Sequence, residues 1–567
     1  MFDSLPSDYT VALDWGWDDW KPYFDALLEG DLSADSIDTW LKNRDKVGRL
    51  MWEVGSRINV ATTLDTTDDV ASNRLRKFMS EVNPNAQRVN FQLDKQLVAS
   101  GLAPDSIKIP LRNTEASIKL FNEDNLPLIS QLSDLGQRYN KIAGAQTVMW
   151  DGEEKTISQV SPLLKSTDRD VREKVYHLVQ DRLKQDREAH NEIWREYMDV
   201  RKQMYQNLGL DNFRQYAWLS RNRHDYTPED AIEFTEAIAE VVVPATERLN
   251  NIKREKLGYE TLKPWDTAVD ADGRDPLKAY ETIQEFIDKT EQVFEKVDPE
   301  LGAYFSTMKN EGLLDLENRK GKGPGGYCTY FPLAERPFIF MNAVGFDSDV
   351  RTLLHEAGHA FHGFSRGETQ YLMQRQSPME FNEVASMAME LLASPYVTED
   401  QGGYFTQEEA ARYQLDHLRG ILSFWPYMAV VVAFQHWIYT NHEAATNPDN
   451  CDEKWLELWH KYMKGVDYSG YEDDIKNRWR RQLHIFVVPF YYIEYGVAQL
   501  GSVQVWANAL KDQQAALDQY RAALALGGTV TLPELYETAG AKLSFDAKTL
   551  GEAVDLIENT MRDLEAV

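Results

Sequence analysis

His355-Glu356-Ala357-Gly358-His359 constrains this chain more tightly than any other five residues. It lies within Arg351 to Glu390 in a segment that otherwise reads as helix, and residues four apart lie on one helical face, so both imidazoles point at one spot with Glu356 beside them. That is the geometry of a metal site. A catalytic zinc takes about three protein ligands and keeps one position open for water. His355 and His359 are the first two ligands. Glu356 is poorly aimed at the same ion but well placed to take a proton from water, whose pKa the metal lowers to about 7. The fold must therefore bring a second element, carrying a third ligand, against this helix.

An H-E-x-x-H-x-x-G-x-x-H pattern would require Gly at 362 and His at 365, but the chain has His362 and Ser365. The third ligand is then expected on another helix, and Ser377-Pro378 looks like its start, with Ser as N-cap and Pro at the first position. Glu380, Glu383 and Glu390 on that helix are candidates. Glu383 and Glu390 are two turns apart on one face, and Glu380 precedes Glu383 by three, so spacing leaves all three open. His362 faces roughly the same way as His355 and His359, as a spare ligand or a supporting donor.

A second constellation lies at NRWRRQLHIFVVPFYYIEYGVAQLGSVQVW, from Asn477. His484, Tyr491, Tyr492 and Tyr495 gather around Pro489. Attack of water on a peptide carbonyl builds negative charge on its oxygen, and imidazole or phenol donors stabilise what a metal does not. Tyr492 and Tyr495, three apart, share a helical face and are preferred over Tyr491 for that reason. The other histidines, at 177, 190, 224, 417, 436, 442 and 460, have no ligand-like spacing and read as structural.

His355-Glu356-Ala357-Gly358-His359-Ala360-Phe361-His362, followed by Phe381-Asn382-Glu383-Val384-Ala385-Ser386, resembles the thimet-oligopeptidase-like (M3) metallopeptidases, in particular the bacterial oligoendopeptidase F branch. The resemblance covers roughly residues 140–540. It implies Glu383 as third ligand of one Zn2+ per chain, with Glu390 orienting a ligand imidazole and His362 supporting. It implies a mostly α, two-lobed fold around a deep substrate channel, with a small β-sheet beside the zinc helix. It also implies internal cleavage of short unfolded oligopeptides, with Glu356 as base and His484, Tyr492 and Tyr495 as donors. An exopeptidase on a related scaffold and a non-catalytic peptide binder are the rival readings.

The chain has 567 residues, and its 61 Lys and Arg against 91 Asp and Glu leave a formal charge of −30. Such a surface repels nucleic acid and anionic lipid. Two cysteines, Cys328 and Cys451, form no disulfide framework and suit a reducing compartment. The first residues carry neither a basic region nor a continuous apolar run, so no secretory signal is expected and the address is cytoplasmic. Gly420 to Tyr439 is long and apolar enough to cross a bilayer, but Pro426, Gln435 and His436 interrupt it and no Lys/Arg bias flanks it. A buried core helix is expected. Monomer and homodimer both remain open.

Residues 17–101 show apolar positions at helical spacing. Trp150-Asp151-Gly152-Glu153 reads as a hairpin turn, and Asp168 caps a long helix reaching about Leu208. Thr227-Pro228-Glu229-Asp230 starts another. A soft boundary near residue 200 divides an N-terminal helical region, 1–199, from a catalytic region, 200–567. Gly321 to Gly326 is a flexible loop without the Gly-Lys-Ser/Thr of a phosphate loop. Pro337 to Asn342 then reads as a strand whose edge takes an extended peptide by strand addition.

Overall fold

The computed structural model describes residues 1–566, the side chain of Glu368 excepted; Val567, last residue of the expected catalytic region, lies outside them. The first hundred residues form the helices α1 (Trp17–Leu28), α2 (Ile37–Leu64) and α3 (Asn83–Ser100). Their apolar stripes meet in a core of their own, with Trp20, Phe24, Leu41, Leu50, Val54, Leu93 and Leu97 all buried. Each such side chain contributes about 1.5–3 kcal/mol of burial free energy.

Thr147–Trp150 (β1) and Glu153–Thr156 (β2) pair antiparallel as expected. Asp151 and Gly152 between them both have positive φ, 52° and 82°. Two left-handed residues in succession make the turn that matches strand twist, and Asp-Gly tolerates it. The long helix expected after Asp168 is two, α4 (Arg169–Gln185) and α5 (Arg187–Asn207), broken at Asp186. α5 runs through residue 200 without interruption, and its Ile193, Trp194, Tyr197 and Met204 sit in the large second core. Residues Phe213–Ser220 form α6, and Thr227 caps the next helix through a reciprocal bond with Asp230.

Leu314–Glu317 (β3), Tyr327–Phe331 (β4) and Arg336–Ala343 (β5) make a three-stranded sheet in the order β3-β5-β4. The strand expected at Pro337–Asn342 is therefore the middle one, parallel to β3 and antiparallel to β4, with no free edge. The edge beside the site belongs to β4. The glycine loop ahead of it is tied down: Gly323 N–H donates to the Thr63 carbonyl (2.7 Å) and Thr66 N–H to that of Gly321 (2.7 Å) at the end of α2.

Among the helices that contribute to the second core are α7 (Asp347–Ser365), α8 (Met379–Ala393), α9 (Gln407–Thr440) and α10 (Ile493–Ala509). α9 contains the apolar Gly420–Tyr439 stretch, and its most apolar window is 72% buried inside the fold. Trp425, Met428, Val430, Val431 and Phe434 are wholly enclosed. Between the two cores lies a hollow of about 520 Å3, walled by Trp52 and Ile109 on one side and by β4, His359 and Glu383 on the other. A second hollow of about 750 Å3 shares Trp52, Thr329 and Gln376 with it and reaches up among α1, α2 and α3.

Candidate active site

α7 is fixed at its start by Asp349. That carboxylate accepts the N–H groups of Val344 (2.7 Å), Gly345 (2.7 Å) and Phe346 (3.2 Å) and the Tyr280 hydroxyl (2.6 Å). The backbone donors of the loop entering the helix are satisfied, and the negative charge sits where the helix dipole favours it. α7 crosses α8 at Gly358, where a Cβ would stand 2.6 Å from both the Ala385 carbonyl oxygen and Ser386 Cα. No side chain fits there, so a glycine in the H-E-x-x-H segment is what lets the two helices approach closely enough to share a ligand set.

His355, His359 and Glu383 converge, with one donor atom from each within 4.8 Å of the others. Nε2 of His355 lies 3.6 Å and Nε2 of His359 3.9 Å from Glu383 Oε2. Tetrahedral zinc with bonds of about 2.1 Å holds its ligand atoms about 3.4 Å apart, so the set fits that ion with little adjustment. The other two carboxylates of α8 are engaged elsewhere. Glu380 accepts from Tyr226 Oη (2.7 Å) and lies 3.5 Å from Arg223 Nε. Glu390 bridges two imidazoles, His355 Nδ1 at 2.7 Å and His417 Nε2 at 3.0 Å. A carboxylate on Nδ1 fixes the ring and leaves Nε2 for a metal. Burial and the two imidazoles act in opposite directions on Glu390, and the imidazoles win, holding it well below the usual carboxylate range.

Ser377 does not cap α8; its hydroxyl meets His362 Nε2 at 3.1 Å, and Pro378 takes the cap position. His362 is thereby committed to the start of the Glu383 helix. Glu356 is buried beside the ligand set, and burial pushes its carboxyl up to about 7, while the His355 charge and then the Cys328 backbone on the β4 edge oppose the shift. A buried carboxyl near neutrality is suited to both accepting and returning a proton.

His484 is pushed down to about 4, by burial and then by the Arg221 charge, so it is neutral near pH 7. Its Nδ1 lies 2.7 Å from the Gln482 amide nitrogen, and Gln482 Oε1 accepts from Tyr427 Oη at 2.7 Å. With the Gln482 amide nitrogen donating to Nδ1, the proton of His484 sits on Nε2. Tyr491, Tyr492 and Tyr495 ring this imidazole, with centroids 5.8, 4.8 and 6.2 Å away. They face different ways. Tyr491 and Tyr495 both stand close enough to Glu383 to feel its charge, and Tyr495 feels that of Glu356 as well. Tyr492 turns toward Phe424 (5.6 Å) and Tyr427 (6.1 Å). α10 begins at Ile493 with Tyr492 as its cap, so Tyr491 lies ahead of the helix and helical spacing does not govern its placement. Phe490 just before has φ +63°. Burial raises all three phenols above their ordinary range, which keeps them protonated donors.

His417 and Arg221 are the participants that sequence spacing misses. Both come from helices with no motif, and only the folded contacts reveal them.

A model of peptidase family M3 matches residues 162–553 of the chain. Oligopeptidase PepF of Bacillus subtilis (strain 168) is 24% identical over 272 residues, 47% of this chain and 39% of that protein. The oligoendopeptidase F homolog of Lactococcus lactis subsp. lactis (strain IL1403) is 23% identical over 421 residues, 72% of this chain and 66% of that one. The chain thus spans less than two thirds of the length of either relative. The solved structure of PZ peptidase A with inhibitor 2 superposes with a TM-score of 0.88 at 27% identity, covering 100% of this chain and 99% of the other. The matched region contains both ligand helices, the edge strand and the tyrosine turn, and the chain belongs to peptidase family M3.

Proposed function

We propose that this chain is a zinc metalloendopeptidase that hydrolyses short, unfolded oligopeptides. The observation that carries the reading is the convergence of His355, His359 and Glu383 with Glu356 at the wall of a hollow bordered by the β4 edge. A zinc ion held by the three ligands supplies Lewis acidity toward a peptide carbonyl and toward water.

The chain's own residues do the rest. An extended peptide adds to β4, whose backbone groups bind without regard to sequence. Enclosure between two lobes admits a single strand and excludes folded protein. Glu356 takes the proton of the attacking water and hands it to the leaving amine. Tyr491, Tyr495 and the Nε2–H of His484 donate toward the developing oxyanion. Tyr491 stands here in place of Tyr492, whose ring is turned into the α9 wall.

The test is metal analysis joined to an assay on peptides blocked at both ends. One zinc per chain, internal cleavage of blocked peptides, and loss of activity on chelation are expected. Glu356→Gln is expected to keep the metal and lose about 10²–10⁴-fold in turnover, the range of a general base. Trimming only from free ends, or a Glu356→Gln variant of undiminished rate, would refute the reading.

A further inference from the structure

The Pro489–Phe490 turn is the least regular backbone beside the tyrosines. A left-handed φ at a residue with a Cβ persists only where its surroundings over-determine it. Those surroundings are specific. Phe490 N–H donates to the Gln435 side chain, Arg221 Nε donates to the Pro489 carbonyl at 2.9 Å, and Arg223 donates to the Phe490 carbonyl. The same two guanidiniums reach Glu494 Oε1 in the first turn of α10, at 3.4 and 2.8 Å. Arg223 also lies 3.5 Å from Glu380 on α8, which joins the turn to the helix bearing Glu383.

Arg221 does one thing more. Its guanidinium carbon stands 5.1 Å from the centroid of the Tyr491 ring, and the side chain lines the hollow that His359 and Glu383 also line. We propose that Arg221, from the end of α6, is a positioning residue: it holds the Pro489 carbonyl with one edge and the Tyr491 ring with its face, and so aims that phenol at the ligand set. The planar fork suits this, since Nε and a terminal nitrogen bond in one plane while the face stays free for the ring; an ammonium has no such face. Arg223 shares the turn but is buried against Trp218, at 4.7 Å, so removing it strands buried Glu494 and threatens the fold. Arg221 is the one to trim.

The inference rests on the reading of Tyr491 as a donor, and its test separates the two. Turnover of a quenched peptide is measured for Arg221→Ala, Arg221→Lys, Tyr491→Phe and the Arg221→Ala/Tyr491→Phe pair, each with its zinc content and melting temperature. In parallel, the 19F resonance of 3-fluorotyrosine at position 491, assigned by its loss in Tyr491→Phe, is followed in the metal-free and zinc-loaded protein. Misplacing a reacting group by about 1 Å costs up to about 10²-fold, so Arg221→Ala is expected to lower kcat about 10- to 100-fold with KM within about two-fold. Lys is expected not to rescue it, and the double variant to be within about two-fold of Tyr491→Phe. The resonance is expected to shift in Arg221→Ala with or without metal. Effects that multiply, a change confined to KM, rescue by Lys, or an unmoved resonance would each overturn the proposal. Full activity in Tyr491→Phe would instead sink the donor reading, leaving the resonance to decide whether Arg221 holds the ring.

Discussion

His355, His359 and Glu383 stand on regular helices, whereas Tyr491 and Tyr492 stand on a turn ahead of one, and the two halves of the site were unequally visible for that reason. On α7 the i, i+4 rule is geometry, and it delivers both imidazoles to one point. On the tyrosine side the same rule groups Tyr492 with Tyr495. Phe490 is left-handed and Tyr491 precedes α10, so helical spacing does not place Tyr491, yet with Tyr495 it stands within reach of the Glu383 charge. Spacing rules carry information only where the backbone repeats.

The sharpest way to break that contrast is a pair of single-atom deletions. Removing one oxyanion donor costs about 10²–10³-fold in kcat, so Tyr491→Phe is expected to lose about two orders of magnitude with zinc content intact. Tyr492→Phe removes a hydroxyl from a ring packed on Phe424 and Tyr427 and is expected to stay within about two-fold. Steady-state kinetics on one peptide decides it. A large loss in Tyr492→Phe beside a small one in Tyr491→Phe would return the role to the residue that helical spacing selects.

Much of the fold was legible for the same reason that the ligands were. The Asp151-Gly152 hairpin, the Thr227 cap and the buried α9 all follow from local chemistry: two positive φ values, a hydroxyl and carboxylate three apart, an apolar run interrupted by Pro426, Gln435 and His436. Which acid of α8 meets the two imidazoles was not local. Glu380, Glu383 and Glu390 occupy one helix, and what separates them is who else arrives: Tyr226 and Arg223 at the first, the two histidines at the second, His417 at the third. The β5 strand likewise looked like an edge because β3, its parallel partner, is a four-residue strand on the far side of the glycine loop and β4.

His417 gives a second, smaller test of how far the helical half extends. Its Nε2 anchors the Glu390 oxygen that His355 does not use, at 3.0 Å. Partners of that kind tune metal affinity by about 10- to 100-fold when removed. His417→Gln is expected to weaken zinc binding toward the lower end of that range, read by competition with a chromophoric chelator, while turnover at saturating zinc falls less. Unchanged affinity would confine the metal half to its three ligands and Glu390.

The smallest effect concerns the packing that makes a shared ligand set possible. Gly358→Ala places a methyl 2.6 Å from Ala385 O and Ser386 Cα, both backbone atoms that yield only if α7 and α8 part. Overpacking of this kind costs about 1–3 kcal/mol, and the parting is felt directly at Glu383, two residues before Ala385. Gly420→Ala is the matched control, a glycine within α9 whose added Cβ meets nothing within 4 Å. There the helix gains about 0.5–1 kcal/mol from reduced backbone freedom. The two variants are therefore expected to move the unfolding midpoint in opposite directions, and only Gly358→Ala to weaken zinc binding. If both destabilised alike, the close approach of the two helices would be incidental, and the glycine inside the metal motif would owe its place to something other than the contact with α8.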